Sequence, residues 1–175
     1  CKNINKIDNL EKISGLICSS FQNLKRDLIE DLDSLPFPDW SQIPIKNYWK
    51  LKYAHGPFAS KKYISLLTSR GCPYPCKFCV VPETNNRRWR FKSPKKVVDE
   101  IEHYIKHYNV KEFHLEDLNP TVNENRTVEL CNEIIARNLN ITWKIVAGTK
   151  VESIKKTSTI ELMAKSGCKY ISISP

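Results

Sequence analysis

Across its 175 residues the chain has no apolar run approaching the roughly 18 that a membrane-spanning helix requires, so no membrane span is expected. No secretory signal opens it. Its cysteines number seven, an odd count, and a disulfide framework of the kind found in exported domains is therefore not expected either. The expected compartment is the cytoplasm. Methionine occurs once, at Met163, the first residue is Cys1, and the last residues, Ser172-Ile173-Ser174-Pro175, stop within a strand-like run. The expectation is an internal piece of a longer protein.

A fourth cysteine is missing where three others lie close together. Cys72, Cys76 and Cys79 fall in the run Ser69-Arg70-Gly71-Cys72-Pro73-Tyr74-Pro75-Cys76-Lys77-Phe78-Cys79. Electron-transfer iron–sulfur clusters take four cysteine ligands at other spacings, and a structural zinc site also closes with four. Three thiolates from one loop can hold three irons of a 4Fe-4S cluster and leave the fourth iron open for chemistry. A zinc site and unligated structural cysteines are the competing readings. The remaining cysteines have duller explanations. Cys131 falls with Val128 and Ile135 on an apolar helix face, where free cysteine acts as a small hydrophobe. Cys168 reads as strand packing, and Cys1 and Cys18 lack a third partner. His103 and His107 have the spacing of a helical metal pair, but no glutamate follows His103.

The net charge of +9 suits a polyanionic partner, although charge at this level bears on association rather than fold. One tight basic cluster, Arg87-Arg88-Trp89-Arg90-Phe91-Lys92, interleaves aromatics with cations as a nucleic-acid stacking groove does. A solvated or phosphate-facing loop is the plainer reading, so nucleic acid is not the favoured partner. In the first third, Leu35-Pro36-Phe37-Pro38 reads as a stiff extended connector and a candidate domain boundary.

From about Lys62 the pattern becomes regular. Tyr63 to Thr68 reads as a strand ending at the cysteine loop. Ser93 and Pro94 open a helix as N-cap and first helical residue, and Val97, Val98, Ile101, Ile105 and Tyr108 mark its buried face. A strand over Val110 to Leu115, a helix from about Glu124 to Arg137, a strand over Ile141 to Val146, a short helix from about Ser158 to Ser166 and a strand over Lys169 to Ile173 complete it. Strand and helix alternate about every 29 residues, which predicts an α/β fold with βαβ units and a parallel sheet.

The spacing C-x-x-x-C-x-x-C with an aromatic residue, Phe78, before the last cysteine resembles the cluster loop of the radical S-adenosylmethionine enzymes. The resemblance covers about Ser60 to Pro175 and implies the first four strands of a (β/α)6 partial TIM-type barrel. Its cofactors would be a 4Fe-4S cluster on Cys72, Cys76 and Cys79, and S-adenosylmethionine bound at the open iron, with Phe78 near the adenine. Glu116 and Asp117, at the end of the second strand, stand where the family binds the amino group of S-adenosylmethionine, often through Gly-Gly-Glu. Lys150, after the third strand, resembles the position meeting the cofactor carboxylate, and Ser172 or Ser174 on the fourth would reach the ribose. The stretch from Asp31 to Trp40, with its Leu32-Asp33-Ser34-Leu35-Pro36-Phe37-Pro38 core, is similar to the linker following a cobalamin-binding domain in the cobalamin-associated branch. Residues 1–55 then read as the tail of that domain plus linker, and 56–175 as the start of the radical domain. Cobalamin itself would be bound upstream of this chain. The implied partners are a small-molecule substrate and an electron donor such as ferredoxin or flavodoxin. The implied function is reductive cleavage of S-adenosylmethionine to modify an unactivated carbon, for example by cobalamin-dependent methylation. The alternatives are an RNA-modifying methylthiotransferase and a non-enzymatic zinc or iron–sulfur module that contacts nucleic acid.

Overall fold

The computed structural model describes residue 10 and residues 12 to 174. Cys1 lies outside them. The chain divides into two units, Cys1–Glu30 and Asp31–Pro175. In the first, a tight reversal around Ser19-Ser20 pairs Ile17 with Gln22 in an antiparallel bridge, and Asn23 Nδ2 donates to the Leu10 and Ile13 carbonyls at 2.8 and 2.7 Å.

The second unit carries the regular structure. In chain order it has α1 (Ile45–Leu51), β1 (Ile64–Leu66), β2 (Ser69–Arg70), α2 (Val81–Asn85), β3 (Arg90–Phe91), α3 (Pro94–Tyr108), β4 (Glu112–Leu115), α4 (Glu124–Ala136), β5 (Thr142–Lys150), α5 (Thr157–Lys165) and β6 (Cys168–Ser174). The main sheet runs β1-β4-β5-β6 with every neighbouring pair parallel. Each crossover contains a helix, which is how parallel neighbours must be joined. This is the expected α/β layout, four successive strands of a TIM-type partial barrel. No helix among the described residues is long and apolar enough to cross a membrane.

Local chemistry sets the helix starts, at Ser93 as anticipated. The Ser93 hydroxyl accepts from Lys96 N at 3.1 Å ahead of Pro94, and Asn123 caps Arg126 N at 3.1 Å. Because side chains alternate along a strand, register divides the sheet into two faces. Ile64, Phe113 and Trp143 stand side by side, as do Leu66, Leu115 and Ile145. These pack under Val97, Val98, Ile101 and Tyr104 of α3 and Leu130, Cys131 and Ile134 of α4. Fully burying one such side chain contributes about 1.5–3 kcal/mol.

The opposite face is polar, with Ser65, His114, Lys144 and Tyr170 in one row. At its amino-terminal end Glu112 is almost completely buried. Its carboxylate accepts from Lys144 Nζ at 2.6 Å, His114 Nε2 at 2.9 Å, Ala59 N at 3.0 Å and Ser60 N at 2.5 Å. Burial pushes the Glu112 carboxyl up, but these donors outweigh it and hold the group below its ordinary value. Tyr63 stacks on His114 at 4.6 Å between centroids, and His114 Nδ1 alone in this group has no partner.

Three further segments shape the second unit. The stretch before β1 belongs to it: Leu32 is buried, Asp33 Oδ1 accepts from Ser93 N at 2.8 Å, and Tyr104 donates to the Pro38 carbonyl at 2.9 Å. The first strand stops at Leu66, and Ser69–Arg70 pairs instead with Arg90–Phe91. Finally, β5 continues through Lys150, with two more residues between Ile145 and Thr149 than β6 has opposite them. Gly148, at φ +117°, supplies a backbone conformation that L side chains rarely adopt at that irregularity.

Candidate functional site

Ligands of parallel α/β sheets gather at the carboxyl ends of the strands, and the cysteine loop emerges there. Its root is fixed from two sides. Asp117, just beyond β4 and fully buried, accepts from the Ser69 hydroxyl at 2.6 Å, the Thr68 hydroxyl at 2.9 Å and Thr68 N at 3.1 Å. Burial raises the Asp117 carboxyl, with these hydrogen bonds and Arg126 acting in opposition. Arg126 of α4 donates to the carbonyls of Lys92 and Thr68, both at 3.0 Å. Its guanidinium also lies over Trp89 and Phe91. Gly71, at φ +84°, completes the turn into the loop, and a Cβ there would collide with the Arg88 carbonyl oxygen.

Beyond this root, Cys72, Cys76 and Cys79 line one cleft of about 150 Å³ together with Phe78, Lys150 and Ser174. The loop folds back through Cys79 N to the Cys76 carbonyl at 3.1 Å, and Val81 N points at Cys79 Sγ at 3.4 Å. Burial raises the Cys72 thiol, while the Tyr74 backbone N–H and Lys150 favour its thiolate. Lys150 lies over the Tyr74 ring at 5.2 Å and reaches Glu152 at 3.2 Å, a pairing that raises its pKa.

Six of the nine residues anticipated from the sequence thus share the cleft, and three do not. Asp117 is not at the cleft wall, because its carboxylate is consumed inside the protein by Thr68 and Ser69. Glu116 is half-buried and accepts from His55 Nδ1 at 2.7 Å. Ser172 is not among the lining residues, whereas Ser174, at the strand end, is.

Asn119 and Thr149 line the cleft without having been anticipated. Thr149 donates to Asn119 Oδ1 at 2.6 Å. Behind them Thr121 bonds to Thr149 and to Ser153 at 2.6 Å, and the Asn119 carbonyl accepts from Trp89 Nε1 at 3.0 Å. Asn119 had the outward signal of a turn residue before Pro120. Only the tertiary pairing of the β4 and β5 ends shows that it faces the thiols.

The basic run is not the stacking groove its alternation suggested. Trp89 and Phe91 pack on each other at 4.8 Å, Arg90 is only 8% exposed, and Lys92 is paired with buried Glu100 at 2.5 Å. The discounted residues have structural roles. Cys131 and Cys168 are buried, and burial pushes the Cys168 thiol up to about 12. The His107 ring donates to the His103 carbonyl at 2.7 Å.

The donor set fits a polynuclear cluster. A zinc ion gathers its donors around one point at about 2.0–2.3 Å, whereas in a 4Fe-4S cluster each thiolate takes a different iron. Cys72, Cys76 and Cys79 line one cleft beside Lys150, as three thiolates that each take a different iron must.

Fold and site together define a partial α/β barrel with a three-thiol loop at its strand ends. Residues 66–175 match the family model described as the Radical SAM superfamily, and the chain belongs to that superfamily. Its cofactors are the 4Fe-4S cluster and S-adenosylmethionine. The chain is 36% identical over 146 residues to an anaerobic magnesium-protoporphyrin IX monomethyl ester cyclase of Rubrivivax gelatinosus, covering 83% of this chain and 24% of that protein. It is 28% identical over 145 residues to a cytidylyl-2-hydroxyethylphosphonate methyltransferase of Streptomyces wedmorensis, covering 82% and 27%. Among solved structures, the cobalamin-dependent S-adenosylmethionine radical enzyme OxsB, with aqua-cobalamin and S-adenosylmethionine bound, superposes with a TM-score of 0.62 at 18% identity. That match covers 88% of this chain and 22% of OxsB, and it shows the shared fold. The chain spans about a quarter of the length of these curated relatives.

Proposed function

We propose that this chain forms the cluster- and S-adenosylmethionine-binding part of a radical enzyme of the cobalamin-associated branch. That enzyme would modify an unactivated carbon of a small-molecule substrate by methylation or ring closure. The observation that carries the proposal is the single cleft lined by three thiols, a cation and hydrogen-bonding groups from the β4, β5 and β6 ends. When bound, the cluster and S-adenosylmethionine supply one-electron cleavage of the sulfonium bond, giving methionine and a 5′-deoxyadenosyl radical.

Each residue then has a physical task. Cys72, Cys76 and Cys79 are the cluster ligands, and Val81 N, 3.4 Å from Cys79 Sγ, is placed to hydrogen-bond that ligating sulfur. The Lys150 ammonium is a point charge suited to the cofactor's carboxylate. Asn119, held through its Oδ1 by Thr149, offers its amide N–H groups towards the cleft. Ser174 supplies a hydroxyl for the ribose, and Phe78, 90% exposed, gives an apolar face to the adenine. Glu116 acts away from this set, through His55. Asp117 keeps the loop root in register.

Cyclases and methyltransferases both occur among the relatives, and the cobalamin-dependent fold neighbour supports cobalamin as the second cofactor, bound outside this chain. The electron donor is a low-potential carrier such as ferredoxin or flavodoxin. The test is product formation by iron-loaded protein under reducing, anaerobic conditions with S-adenosylmethionine. Equimolar 5′-deoxyadenosine and methionine are expected, and intact S-adenosylmethionine with a fully loaded, reduced cluster would refute the proposal.

A further inference from the structure

Two adjoining cavities lie where α1, the start of β1 and the last turn of α3 meet, and neither shares a lining residue with the thiol cleft. The inner one encloses about 260 Å³ and the outer one about 550 Å³, and Trp40, Ile43, Ile45 and Trp49 belong to the walls of both. Local chemistry builds these walls. Asp39 Oδ1 accepts from Ser41 N at 2.9 Å and so caps the short turn Trp40–Gln42. Trp49 Nε1 donates to the Tyr63 carbonyl at 2.8 Å, which fixes its indole just ahead of β1, the edge strand of the sheet.

The outer cavity adds Lys46, Lys62 and His107 to this apolar wall, and all three are exposed. No acidic residue lines either cavity. Lys62 Nζ lies over the Trp49 ring at 5.7 Å rather than on a carboxylate. Ligand sites combine mostly apolar walls with a few placed polar groups. An apolar chamber behind uncompensated cations selects a molecule of the reverse build, with an apolar tail and an anionic head. The inner volume suits a tail of roughly eight carbons at about 30 Å³ each, the share of one water in the liquid. A nucleotide is the poorer match, because its base would bring polar edges against tryptophan and isoleucine, where burial without partners is costly.

We propose that the two cavities bind a free medium-chain carboxylate, with its tail in the inner cavity and its carboxylate at Lys46 and Lys62. The assignment does not depend on the cluster reading, since none of these residues belongs to the cleft.

The experiment titrates octanoate into the cluster-loaded chain by calorimetry, beside hexanoate, octylamine, vesicles of anionic phospholipid and a mixed-sequence RNA. The same titrations are made on Lys46→Glu/Lys62→Glu and on the neutral Lys46→Gln/Lys62→Gln, which serves if charge reversal disturbs folding. Octanoate is expected to bind with one site per chain and about tenfold more tightly than hexanoate, two methylenes shorter. Its affinity should fall about fivefold or more in the variants, with iron content unchanged, and octylamine should bind more weakly. Equal affinity for octylamine, no gain with chain length, or unchanged binding in both variants would overturn the proposal. So would loss of octanoate binding on adding S-adenosylmethionine, which would place the anion at the thiol cleft. Vesicles or RNA bound in preference to octanoate, or a dimer in sedimentation that takes up no octanoate, would give this face to another occupant and would overturn it equally.

Discussion

The two ends of the same parallel strands both carry polar groups, and the groups are treated in opposite ways. At the amino-terminal end Glu112, His114 and Lys144 are almost wholly buried, and both oxygens of the Glu112 carboxylate are occupied by donors from its neighbours and from the 57–60 segment. At the carboxyl end Cys72, Cys76, Cys79, Lys150 and Ser174 stay half-buried or exposed around an open cleft. A buried charge must find partners within the protein, so the first set closes the barrel floor. The second set retains bonding capacity for something else. Asp117 shows that position alone does not decide: it lies at the functional end but behaves like the floor, because Thr68, Ser69 and Arg126 absorb it.

The largest effect should separate the thiols. Cys76→Ala is expected to reduce iron from about four per chain to near zero after anaerobic reconstitution, while Cys131→Ala, inside the core, retains almost all of it. Equal losses would mean that the ligands are misassigned. On the floor, Glu112→Gln leaves Lys144 buried without its counter-charge and should cost about 3–5 kcal/mol of unfolding free energy by denaturant titration. An unchanged midpoint would remove the distinction between the two ends. Lys150→Met should leave stability within about 0.5 kcal/mol and weaken S-adenosylmethionine binding about tenfold by calorimetry, the loss of one charge-assisted contact. Unaltered affinity would return Lys150 to the surface. The smallest effect concerns pH. Glu112 ionises at lower pH in the fold than in the unfolded chain, so its stabilisation is complete above the ordinary carboxylate range and is lost as pH falls through its folded value. The stability gap between the parent and Glu112→Gln should therefore narrow below about pH 4.5. A gap independent of pH would show that the cost of the substitution is not electrostatic.

Much of this arrangement was legible in the residues. The 3.6-residue recurrence of Val97, Val98, Ile101 and Ile105, with Ser93 and Pro94 ahead of it, defined α3 almost to the residue, and the 29-residue alternation implied the parallel sheet. The cysteine spacing located the loop. Partners distant in sequence were not legible. Asp117 meets Thr68 and Ser69 across nearly fifty positions, so its carboxylate looked available. Asn119 read as a turn residue until Thr149 of β5 came beside it, and Thr149 lay beyond Val146, where that strand was expected to end, whereas β5 runs on to Lys150. The alternation in Arg87 to Lys92 was real, but its aromatics pack on each other and under the guanidinium of Arg126, 35 residues beyond Phe91.

The most direct test of the open cluster site is EPR of the reduced, anaerobically reconstituted protein before and after adding S-adenosylmethionine. About four irons per chain and a signal that changes on addition are predicted, because the cofactor binds the iron that no cysteine occupies. Colourless protein holding one zinc, or a four-iron signal indifferent to S-adenosylmethionine, would contradict it.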